Sequence, residues 1–153
     1  MALALLLDPL YKDHLTGQGH PEQPARYEAV TRALESTHLL EGLSRVAPRA
    51  ATDDELALVH TAGYIKTVRA EVGALNGRPN LVRDLSTGDV TYSARSLDVA
   101  LNAAGGVLEA VNLLFESGHR RCFCAVRPPG HHATPSRGMG FCQIGRASCR
   151  ERV

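Results

Sequence analysis

An α/β fold on a parallel sheet is what this sequence predicts, and three features predict it. The run "LALLL", Leu3 to Leu7, is continuously apolar and bounded by Asp8-Pro9, which suits a strand covered on both faces. From Ser96 to Phe115 apolar residues recur at Leu97, Ala100, Leu101, Ala104, Val107, Leu108, Val111, Leu114 and Phe115, a helical spacing kept for about five turns. After Gly118 the segment "CFCAV", Cys122 to Val126, reads as a second buried strand that opens into a polar loop. In open α/β sheets such loops, beyond the C-terminal ends of strands, carry the active site.

The elements between the first strand and the long helix follow from local chemistry. "KDHLTGQGHPEQPAR" is a polar, glycine-rich loop. Pro24 then marks a helix start, with Tyr27, Val30 and Leu34 on its apolar side and an end near His38. Thr52-Asp53-Asp54-Glu55 has the form of a capping box and opens a short helix. Thr61 caps another that carries Ile65 and Val68, and Gly77 and Pro79 break it.

Composition narrows the function classes. With 153 residues and 44% hydrophobic content the chain is one domain's worth and can bury a core. The formal charge is +1 with both signs interspersed, which gives no electrostatic footprint for nucleic acid or an acidic membrane. No apolar run approaches the ~20 residues of a membrane span, and "MALALLLDPLY" lacks the basic start of a signal peptide, so the chain is expected in the cytoplasm. Cys122, Cys124, Cys142 and Cys149 show no paired zinc-knuckle spacing and are expected as reduced thiols.

The polar loop carries the chemistry. Pro128, Pro129 and Gly130 stiffen and turn the approach to two adjacent histidines, His131 and His132. A histidine near its ordinary pKa of ~6.5 gives and takes protons at neutral pH, and two in different surroundings can divide those tasks. The spacing alone also fits a surface loop with two solvated imidazoles. His20 and His60 read as structural histidines, each satisfied by a hydrogen bond.

"RPPGHHA", followed by "GFC" at Gly140 to Cys142, resembles the zinc-dependent histone deacetylase superfamily, closest to its class II and bacterial amidohydrolase branch. "GHPEQPAR", "LVHTAGYI" and "SLDVALNAAGGVLEAV" are similar to further segments of that branch, in the same order. The resemblance implies a three-layer α/β/α parallel sheet of the arginase/deacetylase type, present here as its N-terminal part over residues 1–142. It implies zinc-dependent hydrolysis of an acetyl-amide, with an acetylated lysine side chain or an acetylpolyamine as partner. His131 and His132 would be the proton-transfer pair, His132 the base. Gly140 and Phe141 would line the substrate tunnel, and Arg26 would lie beneath the metal by an acetate-release cavity. An acidic loop residue that grips the substrate backbone would fall in "RDLSTGD", Arg83 to Asp89, as Asp89 rather than Asp84. Cys142 would be packed.

The chain departs from the family in one respect that bears on activity. The family's zinc ligands come from an Asp-x-His and a later Asp, with a tyrosine stabilising the intermediate, and no Asp-x-His occurs here. No metal ligand is therefore assigned in this chain, the zinc ligands being expected in a missing C-terminal part, and the chain as written is expected to be inactive. "QIGRASCRERV", Gln143 to Val153, reads as the in-frame translation of a sequencing adapter, so these residues are expected to be non-native. Without them the formal charge becomes −1, from 14 basic and 15 acidic residues. The alternative is a non-catalytic α/β fragment or interaction module that keeps the His-His loop.

Overall fold

Leu3–Leu6 forms the central strand, β1, of a three-stranded parallel sheet in the computed structural model, which describes residues 3–37 and 40–146. Ser44–Arg45 (β2) pairs on one side and Arg121–Cys124 (β5) on the other, with Leu3 opposite Arg121 and Leu6 opposite Cys124. Ala4, Leu5 and Leu6 are buried, as the apolar run predicts for a strand covered on both faces. β5 differs from the expectation of a second buried strand. Its residues alternate between exposed and half-buried, with Phe123 46% exposed, because β5 is the edge strand among the described residues and only one of its faces is covered.

Ser96–Glu116 (α4) lies on the covered face. Val107, Ala110 and Leu113 pack with Ala4 and Leu6 of β1 and with Cys122 and Cys124 of β5. This helix is long and apolar enough, by length and composition alone, to cross a membrane, contrary to the expectation that no segment would be. Nine of its residues are buried among sheet and helices. "AAGG" has a structural reason, since a Cβ on Gly105 would fall 2.2 Å from the Arg49 carbonyl oxygen and only glycine lets that segment cross.

Pro24–Ser36 (α1) begins at Pro24 as read, and Tyr27 is its buried anchor, edge-on to Tyr11 at 5.6 Å. Val30 is 39% exposed, so the apolar side of α1 is only partly covered. The expected end near His38 lies outside the described residues. Asp53–Ala57 (α2) opens with the capping box, Thr52 Oγ1 accepting from Glu55 N–H and Glu55 accepting from Thr52 N–H. Ala62–Gly73 (α3) is capped by Thr61.

Further short elements stand where the sequence announces no helix or strand. Pro9–Asp13 forms a 3₁₀ turn capped by Asp8, and Val82–Asp84 (β3) pairs antiparallel with Thr91–Ser93 (β4). Packing also continues past residue 142. Gln143 and Ile144 are buried, Tyr64 Oη donates to the Gln143 carbonyl at 2.6 Å, and Arg146 N–H donates to the Gly130 carbonyl. Residues 147–153 lie outside the described residues.

Candidate active site

The loop after β5 runs through Arg127, whose peptide bond to Pro128 is cis. Arg127 is buried, and its guanidinium makes a two-pronged pair with the buried carboxylate of Glu22, Nε to Oε1 at 3.0 Å and Nη2 to Oε2 at 2.9 Å. Its remaining nitrogen, Nη1, donates to the Tyr11 carbonyl at 2.6 Å. Glu22 also meets Nε2 of buried His14 at 3.4 Å, and His14 Nδ1 lies 2.6 Å from Ser96 Oγ at the start of α4. Ser96 Oγ in turn accepts from Ser93 N–H. One proton arrangement satisfies this chain: Ser96 donates to Nδ1, and a neutral His14 donates from Nε2 to Glu22.

The electrostatics agree with that arrangement. Burial holds His14 below the ordinary imidazole range, against the pull of its hydrogen bond to Glu22. For Glu22, burial alone would raise the pKa, but hydrogen bonds from His14 and Arg127 outweigh it and bring the carboxyl down to about 2. The cluster ties the 3₁₀ turn, the approach to α1, the start of α4 and the His-His loop to one buried charge pair.

His131 and His132 lie beyond this anchor, both exposed, with ring centroids 4.1 Å apart and planes tilted by 56°. His132 N–H donates to Cys142 Sγ at 3.3 Å, and Cys142 is fully buried, so the thiol packs as read. Gly140 and Phe141 both have left-handed backbone, φ 56° and 65°. A Cβ on Gly140 would lie 2.6 Å from Cδ2 of the His132 ring, so glycine is required there on two counts. Phe141 turns its ring edge-on to His20 at 4.7 Å, which places His20 against the loop. His60 is buried and its Nε2 accepts from Gly145 N–H at 2.8 Å, a structural arrangement.

Of the two aspartates considered, Asp89 reaches this loop, its Oδ1 accepting from Gly140 N–H at 3.0 Å. Asp84 instead accepts from Thr91 across the β3–β4 hairpin. Arg26, exposed on the first turn of α1, shares a cavity of about 420 Å³ with Tyr27, Phe123, Cys124, Arg127 and His131. The structure therefore gathers His131, His132, Gly140, Phe141 and Asp89 in one loop cluster, with Arg26 on the cavity beside it. His14, Glu22 and Arg127 are not among the residues that the sequence singles out, although Glu22 and Arg127 stand inside the motifs "HPEQPAR" and "RPPGHHA". A charge at the end of an apolar strand was the available signal, since such a residue must be paired if buried.

Among the described residues no three of His, Cys, Asp and Glu come together to hold a metal ion. They do not fit the zinc ion that the resemblance implies. The chemistry open to this segment is proton handling by the exposed imidazoles of His131 and His132.

Comparison with known proteins agrees with the geometry. A family profile described as histone deacetylase domain matches residues 20–149. The chain is 34% identical over 131 residues to histone deacetylase 6 of Caenorhabditis elegans, covering 84% of this chain and 14% of that protein. It is 31% identical over 140 residues to a probable deacetylase of Methanothermobacter thermautotrophicus, covering 92% and 39%. To polyamine deacetylase HDAC10 of Danio rerio it is 31% identical over 121 residues, covering 79% and 18%. The crystal structure of the HDA15 HD domain superposes with a TM-score of 0.83 at 27% identity, covering 95% of this chain and 41% of that one. The chain thus spans less than half the length of each of these relatives.

Proposed function

The chain belongs to the histone deacetylase family, and from that premise we propose that it is the part of a deacetylase that supplies the proton-transfer pair and one wall of the acyl tunnel. The substrate class we propose is an acetyl-amide, on a lysine side chain or a polyamine. The observation that carries the reading is the His131–His132 pair, 4.1 Å apart, seated on Gly140 and Cys142 and open to solvent.

His132 acts as base, taking a proton from the attacking water, because its backbone is pinned to Cys142 and its ring rests on Gly140. His131, which lines the cavity, serves as electrostatic partner and proton donor to the leaving amine. Phe141 narrows the approach, and Asp89 holds the tunnel turn through Gly140 while its second carboxylate oxygen takes a substrate amide. Zinc, when bound, would polarise the amide carbonyl; the described residues do not provide its ligand set.

The test is turnover of fluorogenic acetyl-lysine peptide and of an acetylpolyamine, by this chain and by a longer chain that continues it through a deacetylase domain. The expected outcome is no turnover by the former and turnover by the latter. A longer chain that binds substrate without turning it over would favour the interaction module instead.

A further inference from the structure

Cys122 and Cys124 stand two residues apart on β5, so their side chains leave the same face of the strand. They lean together until their sulfurs are 3.7 Å apart, and both are free thiols. Each is half-buried beside Ala4 and Leu6 of β1 and Ala110 of α4. Cys124 also lines the cavity that holds Arg26 and His131. The proposed reaction uses neither thiol.

We propose that Cys122 and Cys124 form a dithiol site for a trivalent arsenical of the type R–As(OH)₂, and that the bound group R occupies the cavity beside His131. The chemistry of two close sulfurs with no third donor selects this class. A zinc ion takes four ligands, and no third His, Cys, Asp or Glu joins the pair among the described residues. A disulfide would have to bridge a two-residue strand spacing of roughly 6.6–6.8 Å, at the far limit of ordinary Cα separations. One arsenic atom set between the two sulfurs lets them stay near their present separation and bonds softly to both.

The step balances without a change of oxidation state. Two As–O bonds break and two As–S bonds form, the thiol protons leave with the hydroxyls as two waters, and arsenic remains trivalent. Burial, and after it the neighbouring Cys122, push the Cys124 thiol up to about 12. That disfavours alkylation and cationic metals, which need thiolate, whereas the condensation consumes the neutral thiols themselves.

The experiment titrates the full chain with phenylarsine oxide and reads the product by intact mass, with far-ultraviolet circular dichroism on each variant. One adduct per chain is expected, stable to excess glutathione and removed by dimercaptopropanol. It should be absent from Cys122→Ser, Cys122→Ala and Cys124→Ser, and kept in Cys142→Ser and Cys149→Ser. Affinity should fall at least about tenfold in concentrated guanidinium chloride, because the fold presents the pair ready-made. An adduct that survives either β5 substitution, equal affinity in denaturant, or no adduct would each overturn the site. Diethylpyrocarbonate should modify His131 more slowly in the adduct, and an unchanged rate would overturn its placement in the cavity.

Discussion

His14 and His132 are both held by segments that meet at Arg127, yet their surroundings are opposites. His14 is 1% exposed, wedged between Ser96 and Glu22, and burial keeps it neutral. His132 is exposed and rests on a glycine turn. The difference separates two tasks that one histidine cannot combine. A buried imidazole in a satisfied network is rigid but closed to substrate, and an exposed one can exchange protons but needs something else to fix its position. Here the buried cluster fixes where the loop leaves the sheet, and the loop presents the imidazoles.

Removing the anchor should produce the largest effect. Glu22→Ala leaves the Arg127 guanidinium buried without its carboxylate, and such a loss costs about 3–5 kcal/mol. Urea unfolding followed by circular dichroism checks it, and a loss below about 1 kcal/mol would mean that the pair is far wetter than its burial indicates. Replacing both partners with apolar residues, Glu22→Leu with Arg127→Met, should recover much of the loss.

Acid probes the same cluster without mutation. Glu22 has a folded pKa of about 2, below its ordinary 4.5, so it stabilises the fold above 4.5 and that contribution is lost as pH falls toward 2. His14 is also depressed, from 6.5, so the unfolded chain takes up its proton first and stability already declines below pH 6.5. Urea midpoints should therefore drop between pH 7 and pH 5, and His14→Gln should flatten that part of the curve. A midpoint that rises on acidification would contradict the neutral His14.

His132→Ala reverses the pattern. An exposed ring contributes little to folding, so stability should change by less than about 0.5 kcal/mol. In a longer, active chain the same change should lower kcat by about 10²-fold or more, the scale of a lost general base. Activity that survives would move the base to His131. Gly140→Ala should fall between the two regions, costing about 1–2 kcal/mol for the left-handed backbone and more where the methyl meets the His132 ring.

How much of this was legible depended on range. The capping box at Thr52–Glu55 and the Thr61 cap are written within four residues and were read directly. The long helix announced itself by period. The Glu22–Arg127 pair joins residues 105 apart, and nothing in one sequence says which carboxylate meets which guanidinium. The exposure of Phe123 was hidden for a related reason: whether an apolar strand is central or at an edge is a property of the sheet. β3 and β4, three residues each, are too short for alternation to show.

Asp89 should give the smallest effect and the finest distinction. Its Oδ1 accepts from Gly140 N–H, so it joins the exposed region to the β3–β4 hairpin rather than to the buried anchor. Asp89 is exposed, and losing one such hydrogen bond in Asp89→Ala should cost about 0.5–1.5 kcal/mol. Asp89→Asn keeps a carbonyl oxygen for Gly140 and so should keep the turn, with stability near that of the parent chain. It loses the charge, and that separates two roles. If the carboxylate also takes a substrate amide, Asp89→Asn in a longer, active chain should raise KM several-fold with kcat little changed, since the lost contact is made equally in ground and transition states. If Asp89 does no more than hold the tunnel turn, Asp89→Asn should behave as the parent in both constants and only Asp89→Ala should lower kcat, through a misplaced His132. Steady-state kinetics of the two variants, set beside their urea midpoints, decide between these roles.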